Sequence, residues 1–158
     1  MDKRSVYIET SVVSYLASRP SRDLVVAARQ EVTRDWWDRR RGHFDLYVSQ
    51  FVADEAGDGD RDAAAQRLER LAGIPRLEAT LGVKALAQAL LREGVVPQKA
   101  ATDAAHIAVA SVHGVDFLLT WNCKHLANAE IMGAVADVVL SMGCVPPIIC
   151  TPDELMGD

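Results

Sequence analysis

The sequence predicts an α/β fold in which helices cover both faces of a five-stranded parallel sheet, giving a three-layer α/β/α sandwich. Short segments rich in β-branched and aromatic residues alternate with longer segments of helical periodicity. Glycine or proline marks most of the boundaries between them. Because strands that alternate with helices pair in parallel through right-handed crossovers, the segments are expected to build one sheet.

The first half of the chain contains two predicted strands. Residues 5–10 (SVYIET) have the composition of a strand, and a short helix over 11–17 ends before a proline. Residues 44–48 (FDLYV) alternate like a second strand, and a helix over 50–56 follows it directly. A glycine-rich break at 57–60 then separates this helix from the next one.

A long helix is predicted between these two strands. We expect Ser21 to cap it and Gly42 to end it, just after Arg41. Its apolar stripe repeats every four residues. The stripe consists of Leu24, Ala28, Val32 and Trp36, widened by Val25 and Trp37. For Trp36, Trp37 and Tyr15 core packing is favoured over the alternative, a dimer surface.

The second half continues the alternation of helices and strands. Helices are predicted over 61–72 (capped by Asp60), 81–93 (ended by Gly94), 97–113 (opened by Pro97) and 128–142 (ended by Gly143). Strands are predicted over 76–79, 116–120 (DFLLT) and 147–150 (PIIC), and residues 151–154 (TPDE) form a capped final turn.

Length and composition bound the class of protein. The 158 residues suit a single domain over 1–158, and a hydrophobic fraction of 49% allows a sizeable core. No apolar run is long enough to span a membrane, and the amino terminus lacks the pattern of a signal peptide, so a cytoplasmic location is expected. Cys123, Cys144 and Cys150 predict reduced thiols rather than disulfides or a zinc site.

The formal net charge of -5 argues against a broad basic surface for nucleic acid, although it allows an enzyme that contacts RNA locally. The basic run Arg39, Arg40 and Arg41 lies at the end of a predicted helix. There it complements the helix dipole, and contact with RNA is the less favoured interpretation.

Four polar residues are predicted to lie above the carboxyl ends of the strands, where open parallel sheets bind ligands. Glu9 ends the first strand, Glu55 lies in the helix after the second, and Asn122 follows the fourth. Asp103 lies in the first half of the alanine-rich helix that enters the fourth strand. Carboxylates gathered in one place repel each other unless a cation lies among them, and oxygen ligands select Mg²⁺ or Mn²⁺.

Each residue also has a simpler explanation. Glu9 and Glu55 are each compatible with a solvated charge, and Asn122 with a turn residue. His106 and His125 follow Asp103 and Asn122 by three positions. For both histidines a structural hydrogen bond is favoured over a contact with phosphate.

Taken together, the motifs resemble the PIN-domain family, which includes VapC-like toxins of bacterial toxin–antitoxin pairs. The strand that ends in an acid and Thr or Ser corresponds to residues 7–11 (YIETS). The acid after the second strand matches residues 53–56 (ADEA), and the acid of a small-residue helix matches residues 103–108 (DAAHIA). The acid that follows the fourth strand corresponds to residues 118–122 (LLTWN). The family usually has Asp where this chain has Glu9 and Asn122, so the resemblance indicates a distinct subgroup.

The resemblance implies a sheet in the order 3-2-1-4-5, dependence on Mg²⁺ or Mn²⁺, RNA as substrate, an antitoxin protein as partner and frequent homodimers. Glu9, Glu55 and Asp103 would hold the metal, and Asn122 would support it directly or through water. Among the supporting side chains, Thr10, Ser11 and Thr120 would orient a carboxylate or contact phosphate. There are two alternatives. The first is a non-catalytic PIN module that binds RNA or protein, and the second is a phospho-receiver domain. The second is disfavoured because Thr80 follows the third strand where that class needs an Asp.

Overall fold

The computed structural model describes residues 2–157, so the first and last residues of the predicted 1–158 domain lie outside the described part. Five parallel strands form one sheet in the order β3-β2-β1-β4-β5, as the resemblance implies. The strands are β1 (Arg4–Ile8), β2 (Phe44–Ser49), β3 (Arg76–Leu77), β4 (Phe117–Leu119) and β5 (Ile148–Cys150). The helices are α1 (Thr10–Ala17), α2 (Leu24–Arg39), α3 (Gln50–Ala56), α4 (Arg61–Leu71), α5 (Leu81–Arg92), α6 (Ala101–Val112) and α7 (Ala129–Ser141).

Strand β1 lies at the centre of the sheet and pairs with β2 on one side and β4 on the other. Helices α1 to α4 pack among themselves, and α5 packs on both α6 and α7. With right-handed crossovers these two groups cover opposite faces of the sheet, which confirms the three-layer α/β/α prediction. The side chains of Val6, Tyr7 and Ile8 are therefore fully buried, as expected for a central strand of a parallel sheet.

The predicted apolar stripe of α2 is wrong over the first half of the helix. Asp23 rather than Ser21 caps the helix, and Leu24 and Val25 are 86% and 62% exposed. The buried face here carries Gln30 and Thr33, whose polar atoms bond to neighbouring segments. Polar contacts to loops therefore replace the apolar contacts that the periodicity predicts.

The second half of α2 behaves as predicted. Trp36 and Trp37 are buried, and Trp36 stacks on Phe44 with 5.9 Å between ring centroids. Tyr15 is partly buried against the same core. These contacts confirm core packing for the three side chains. The helix ends at Arg39, and a 3₁₀ turn over Arg41–His43 replaces its last predicted turn.

Other boundaries differ by one to four residues. A 3₁₀ turn over Gln98–Ala100 precedes α6, so the predicted helix start at Pro97 is wrong by one turn. The third strand is limited to Arg76–Leu77, and the fifth begins after Pro147, which has no amide hydrogen to give to a strand ladder. The capped final turn is confirmed: Thr151 and Glu154 form a capping box.

The predictions about membrane spans and cysteines can also be compared with the structure. Within residues 2–157, none of the helices is both long enough and apolar enough to span a membrane. The three cysteines are free, with Cys123 exposed and Cys150 buried.

Candidate metal and active site

The candidate site lies above the carboxyl ends of β1, β2 and β4. Glu9 follows β1 directly, and its amide donates to the carbonyl of Leu119 at the end of β4 with an N···O distance of 3.1 Å. Glu55 lies in α3, which begins where β2 ends. Asp103 lies in the first turn of α6. The chain therefore brings three acids from distant segments to one edge of the sheet.

Glu9 is almost completely buried, with 5% of its surface exposed. Its Oε1 accepts hydrogen bonds from the hydroxyls of Ser11 and Thr120, both at 2.5 Å. Its Oε2 accepts from the amide of Ser11 at 3.1 Å, which makes Glu9 the N-cap of α1. Three donors thus stabilise the buried charge and fix the orientation of the carboxylate.

The two hydroxyls that bind Glu9 are themselves held by the loop after β4. The Ser11 hydroxyl accepts from the amide of Trp121 at 2.8 Å, and the Thr120 hydroxyl accepts from the amide of Asn122 at 2.9 Å. Because a carboxylate oxygen accepts, each hydroxyl directs its own hydrogen to Glu9. The loop therefore determines how the Glu9 carboxylate is presented.

Glu55 has one occupied and one open oxygen. Its Oε1 accepts from the Thr10 hydroxyl at 2.6 Å and contacts His106 Nε2 at 2.7 Å. Its Oε2 accepts no hydrogen bond from any residue in the described range 2–157. Partial burial raises the pKa of Glu55, but the hydrogen bonds from His106 and Thr10 outweigh it and leave that pKa below its ordinary value. The carboxylate is accordingly charged at neutral pH.

His106 is fully buried, and both ring nitrogens have partners. Nε2 contacts Glu55, while Nδ1 lies 2.7 Å from the Tyr7 hydroxyl, which lies 2.7 Å from Ser49 Oγ. Because a charged carboxylate only accepts, Nε2 carries the hydrogen. The one direction that gives every hydrogen an acceptor then runs from Ser49 to Tyr7 to His106 Nδ1. His106 thus donates to Glu55 through Nε2.

Asp103 borders an open pocket of about 330 Å³. The pocket is lined by Glu55, Lys99, Ala100, Thr102, Asp103 and His125. Burial raises the pKa of Asp103 above its ordinary value, Glu9 adds to the rise, and His106, Asn122 and His125 oppose it. The protein itself therefore disfavours the charged form of Asp103.

Asn122 is committed to the turn after β4. Its Oδ1 accepts from the amides of Lys124 at 3.2 Å and His125 at 3.0 Å. The Asn122 side chain also lowers the pKa of the nearby Asp103 carboxyl. In this arrangement the Asn122 oxygen holds the loop after β4.

The donor set fits a hard cation. Oxygens of Glu9 and Glu55 and a nitrogen of His106 lie within 4.8 Å of one another. Since both nitrogens of His106 are engaged, we assign the ligand role to the carboxylates, with Glu55 Oε2 open and Asp103 across the pocket. Oxygen ligands with net negative charge suit Mg²⁺ or Mn²⁺ better than zinc.

The predicted supporting residues meet different partners. Thr10 and His106 contact Glu55, Ser11 and Thr120 contact Glu9, and His125 lines the pocket. The sequence-based prediction did not include Tyr7, Ser49 or Lys99. A tyrosine between the apolar residues Val6 and Ile8 of the central strand was the available signal, because a buried phenol needs a hydrogen-bond partner.

A larger pocket of about 520 Å³ lies elsewhere, beside Trp37, Arg41 and Arg70, and shares no lining residue with the candidate site. Its polar lining residues are exposed surface side chains. The chemistry of titratable groups is concentrated at the smaller pocket, which we take as the candidate site.

Neither the protein-family models nor the curated proteins gave a match to the chain.

Proposed function

We propose that this chain is a metal-dependent endoribonuclease of the PIN type that hydrolyses RNA phosphodiester bonds with Mg²⁺ or Mn²⁺. The observation that carries the proposal is that Glu9 and Glu55 have ligand atoms within 4.8 Å of each other above the carboxyl ends of the central strands of a 3-2-1-4-5 sheet. Asp103 is outside that group and lines the same pocket as Glu55. Ligand sites of open parallel sheets lie at this edge, where the strand order reverses.

The raised pKa of Asp103 supports a cation in this pocket. Burial and the nearby charge of Glu9 both disfavour the charged form of Asp103. A divalent cation would reverse this balance, and when bound it would supply charge neutralisation and activation of water for attack on phosphorus. The protein residues would provide the rest: Thr10 and His106 hold Glu55, and Ser11 and Thr120 hold Glu9.

RNA would be contacted at the mouth of the pocket. The exposed Lys99 and the partly buried His125 border the same pocket as Glu55 and Asp103. A cationic lysine beside the carboxylates can bind a phosphate next to the one that reacts. With a net charge of -5, such contacts are local, which suits a short single-stranded segment better than a long duplex.

The test is Mn²⁺-dependent cleavage of single-stranded RNA by the wild type, Asp103→Asn and Glu55→Gln. Loss of a group that stabilises charge in the reaction lowers the rate on the order of 100-fold, and we expect this loss for both variants. The matched control is Asp54→Asn, which removes an exposed acid from the same helix as Glu55. Equal cleavage by the wild type and Asp103→Asn would reject the assignment.

A second candidate is a PIN-fold module that binds RNA or a protein partner without cutting it. The hydrogen bonding of Glu9 favours it, since three protein donors already stabilise this carboxylate without a cation. Calorimetry with Mn²⁺ separates the two candidates: absence of binding at millimolar metal supports the non-catalytic module.

From the resemblance to VapC-like toxins we further propose a toxin role in the cytoplasm, neutralised by an antitoxin protein, in a chain that forms a homodimer. Induced expression of the wild type would arrest bacterial growth, and Asp103→Asn would not. Growth arrest of equal strength by both proteins would contradict a toxin role that depends on the site.

A further inference from the structure

One buried hydroxyl, that of Tyr7, connects to Glu55 by two routes. Tyr7 Oη lies 2.7 Å from His106 Nδ1, and His106 Nε2 lies 2.7 Å from Glu55 Oε1. Tyr7 Oη also lies 2.7 Å from Ser49 Oγ, and Ser49 is the N-cap of α3, the helix that carries Glu55. Both the carboxylate of Glu55 and the start of its helix are therefore tied to the same atom.

We propose that Tyr7 and His106 are positioning residues that select which oxygen of Glu55 faces the cation. The identity of the cation rests on the proposed function, whereas the hydrogen-bonded chain stands on its own geometry. His106 and Thr10 occupy Oε1, so among residues 2–157 Oε2 is left without a hydrogen-bond donor and is the oxygen available to a cation. Glu55 would thus bind as a single-oxygen ligand in one fixed orientation.

The placement of Tyr7 suits this role better than packing does. Tyr7 and Glu9 are two residues apart along extended backbone and project to the same side of the sheet. Tyr7 is fully buried and does not line the pocket, so it contacts neither water in the pocket nor a bound ligand. A phenylalanine would fill the same volume, whereas the hydroxyl serves only the two hydrogen bonds.

Each residue in the hydrogen-bonded series Ser49, Tyr7, His106 and Glu55 depends on its neighbours, because every bond in the series has a fixed direction. If Tyr7 loses its hydroxyl, His106 Nδ1 has no donor and the ring is free to turn or to place its hydrogen on Nδ1. Nε2 would then no longer be required to donate to Glu55. Residues that hold a ligand in this indirect way typically change metal affinity by about 10–100-fold.

The first experiment is Mn²⁺ calorimetry on the full chain carrying Tyr7→Phe. We expect the dissociation constant for Mn²⁺ to rise about tenfold or more. The matched control is Ser111→Ala, which also removes a buried hydroxyl. Ser111 lies in α6, further along the helix than His106, and its hydroxyl donates to the carbonyl of Ile107. An affinity of Tyr7→Phe within twofold of the wild type would overturn the proposal.

A pair of His106 variants tests the donor directly. In His106→Gln the side-chain amide reaches the place of Nε2 and can still donate to Glu55. In His106→Asn the shorter amide reaches only the place of Nδ1. We expect Mn²⁺ affinity to fall in the order wild type, Gln, Asn, and an Asn variant that binds as well as the Gln variant would contradict the donor role.

Nuclear magnetic resonance of the metal-free wild type tests the hydrogen bond from His106 to Glu55 independently of the proposed function. Long-range ¹⁵N–¹H spectra should show a hydrogen on Nε2 of the His106 ring. A ring with no hydrogen on Nε2 would overturn the donation to Glu55 even if the protein binds Mn²⁺. If the wild type binds no metal but shows the Nε2 form, the proposed metal chemistry fails and the positioning of Glu55 stands. This measurement needs no variant, so it also decides the case in which Tyr7→Phe does not fold.

Discussion

The acids of the site differ in how the protein treats their charge. Glu55 receives two hydrogen bonds at Oε1, and its pKa is lowered despite partial burial. Asp103 has a raised pKa, mainly because it is partly buried and secondly because Glu9 is near. The site therefore combines one carboxylate that the fold stabilises with another that awaits an external charge.

This difference predicts opposite effects of neutral variants on the metal-free protein. For Asp103 the folded pKa is raised above its ordinary 3.8, so its charge opposes folding above that pH. Asp103→Asn should therefore be more stable than the wild type at pH 7, and the difference should vanish as the pH falls below the ordinary value. Urea unfolding at a series of pH values measures this, and a less stable Asp103→Asn at pH 7 would count against the raised pKa.

For Glu55 the sign is reversed. Its lowered folded pKa contributes stability that is present above the ordinary 4.5 and is lost as the pH falls through the folded value. Glu55→Gln keeps an acceptor but loses the charge, so we expect a loss of about 1 kcal/mol at pH 7. The same unfolding series should show this loss shrinking in acid. The control is the exposed Asp54→Asn, which should change stability by less than about 0.5 kcal/mol at pH 7.

Asn122 shows how a single substitution within a motif changes a pocket. Its Oδ1 holds the turn at Lys124 and His125, while its side chain lowers the pKa of Asp103. In Asn122→Asp one oxygen can keep the turn, but the other would face Asp103 with like charge. A cation would remove that repulsion.

We therefore expect Asn122→Asp to melt at a lower temperature than the wild type without metal, and to gain more from Mn²⁺. Calorimetric scans with and without millimolar Mn²⁺ measure both effects. Equal Mn²⁺-induced shifts for the two proteins would show that position 122 does not face the cation.

At the scale of elements, helix α2 shows where periodicity is insufficient. Gln30 is 2% exposed, and its amide holds the α1–α2 connection through three bonds. It donates to Ser18 Oγ at 2.7 Å and to the carbonyl of Arg19 at 2.8 Å, and it accepts from the amide of Ser21 at 2.9 Å. The partners lie in a loop whose path depends on the folded structure, so no local pattern in α2 reveals them.

The three hydrogen bonds of Gln30 predict that the protein becomes less stable when the buried face of α2 is made more apolar. Gln30→Leu strengthens the apolar character of the buried face but leaves loop donors and acceptors without partners. Unsatisfied buried groups cost about 1–3 kcal/mol, and we expect a loss in this range by urea unfolding. Glu31→Ala, next to it on the exposed face, should change stability by less than about 0.5 kcal/mol. A neutral Gln30→Leu would mean that these hydrogen bonds have no net effect.

The same contrast separates what the sequence can predict from what it cannot. Strand-forming residues with glycine and proline at the boundaries were sufficient for five strands and seven helices in the right order. The strand order came from the family resemblance, because alternation alone does not specify which strands are neighbours. The chain from Ser49 through Tyr7 to His106 joins residues that are 42 and 99 positions apart, and such pairs arise only from the packed sheet.

At the scale of the whole molecule, charge determines how RNA would approach. The chain has a net charge of -5, and the carboxylates of the site add to the repulsion of phosphates. Lys99 is the exposed cation that borders the pocket. Binding of single-stranded RNA should therefore involve few phosphate contacts and depend only weakly on salt, since each neutralised phosphate contributes a slope of about 0.7 in log K against log salt.

Lys99→Gln should lower this slope by about one phosphate contact, or about 0.7, and weaken binding at low salt. Anisotropy of labelled RNA with Mg²⁺ measures it, in an Asp103→Asn background that prevents cleavage during the titration. Lys84→Gln removes an equally exposed lysine from α5, away from the pocket, and should leave the slope unchanged. If the two lysine variants reduce the slope equally, RNA is attracted by the overall charge of the surface, and Lys99 has no special place at the pocket. If only Lys99→Gln reduces it, the polyanion meets the protein at the same pocket that holds Glu55 and Asp103.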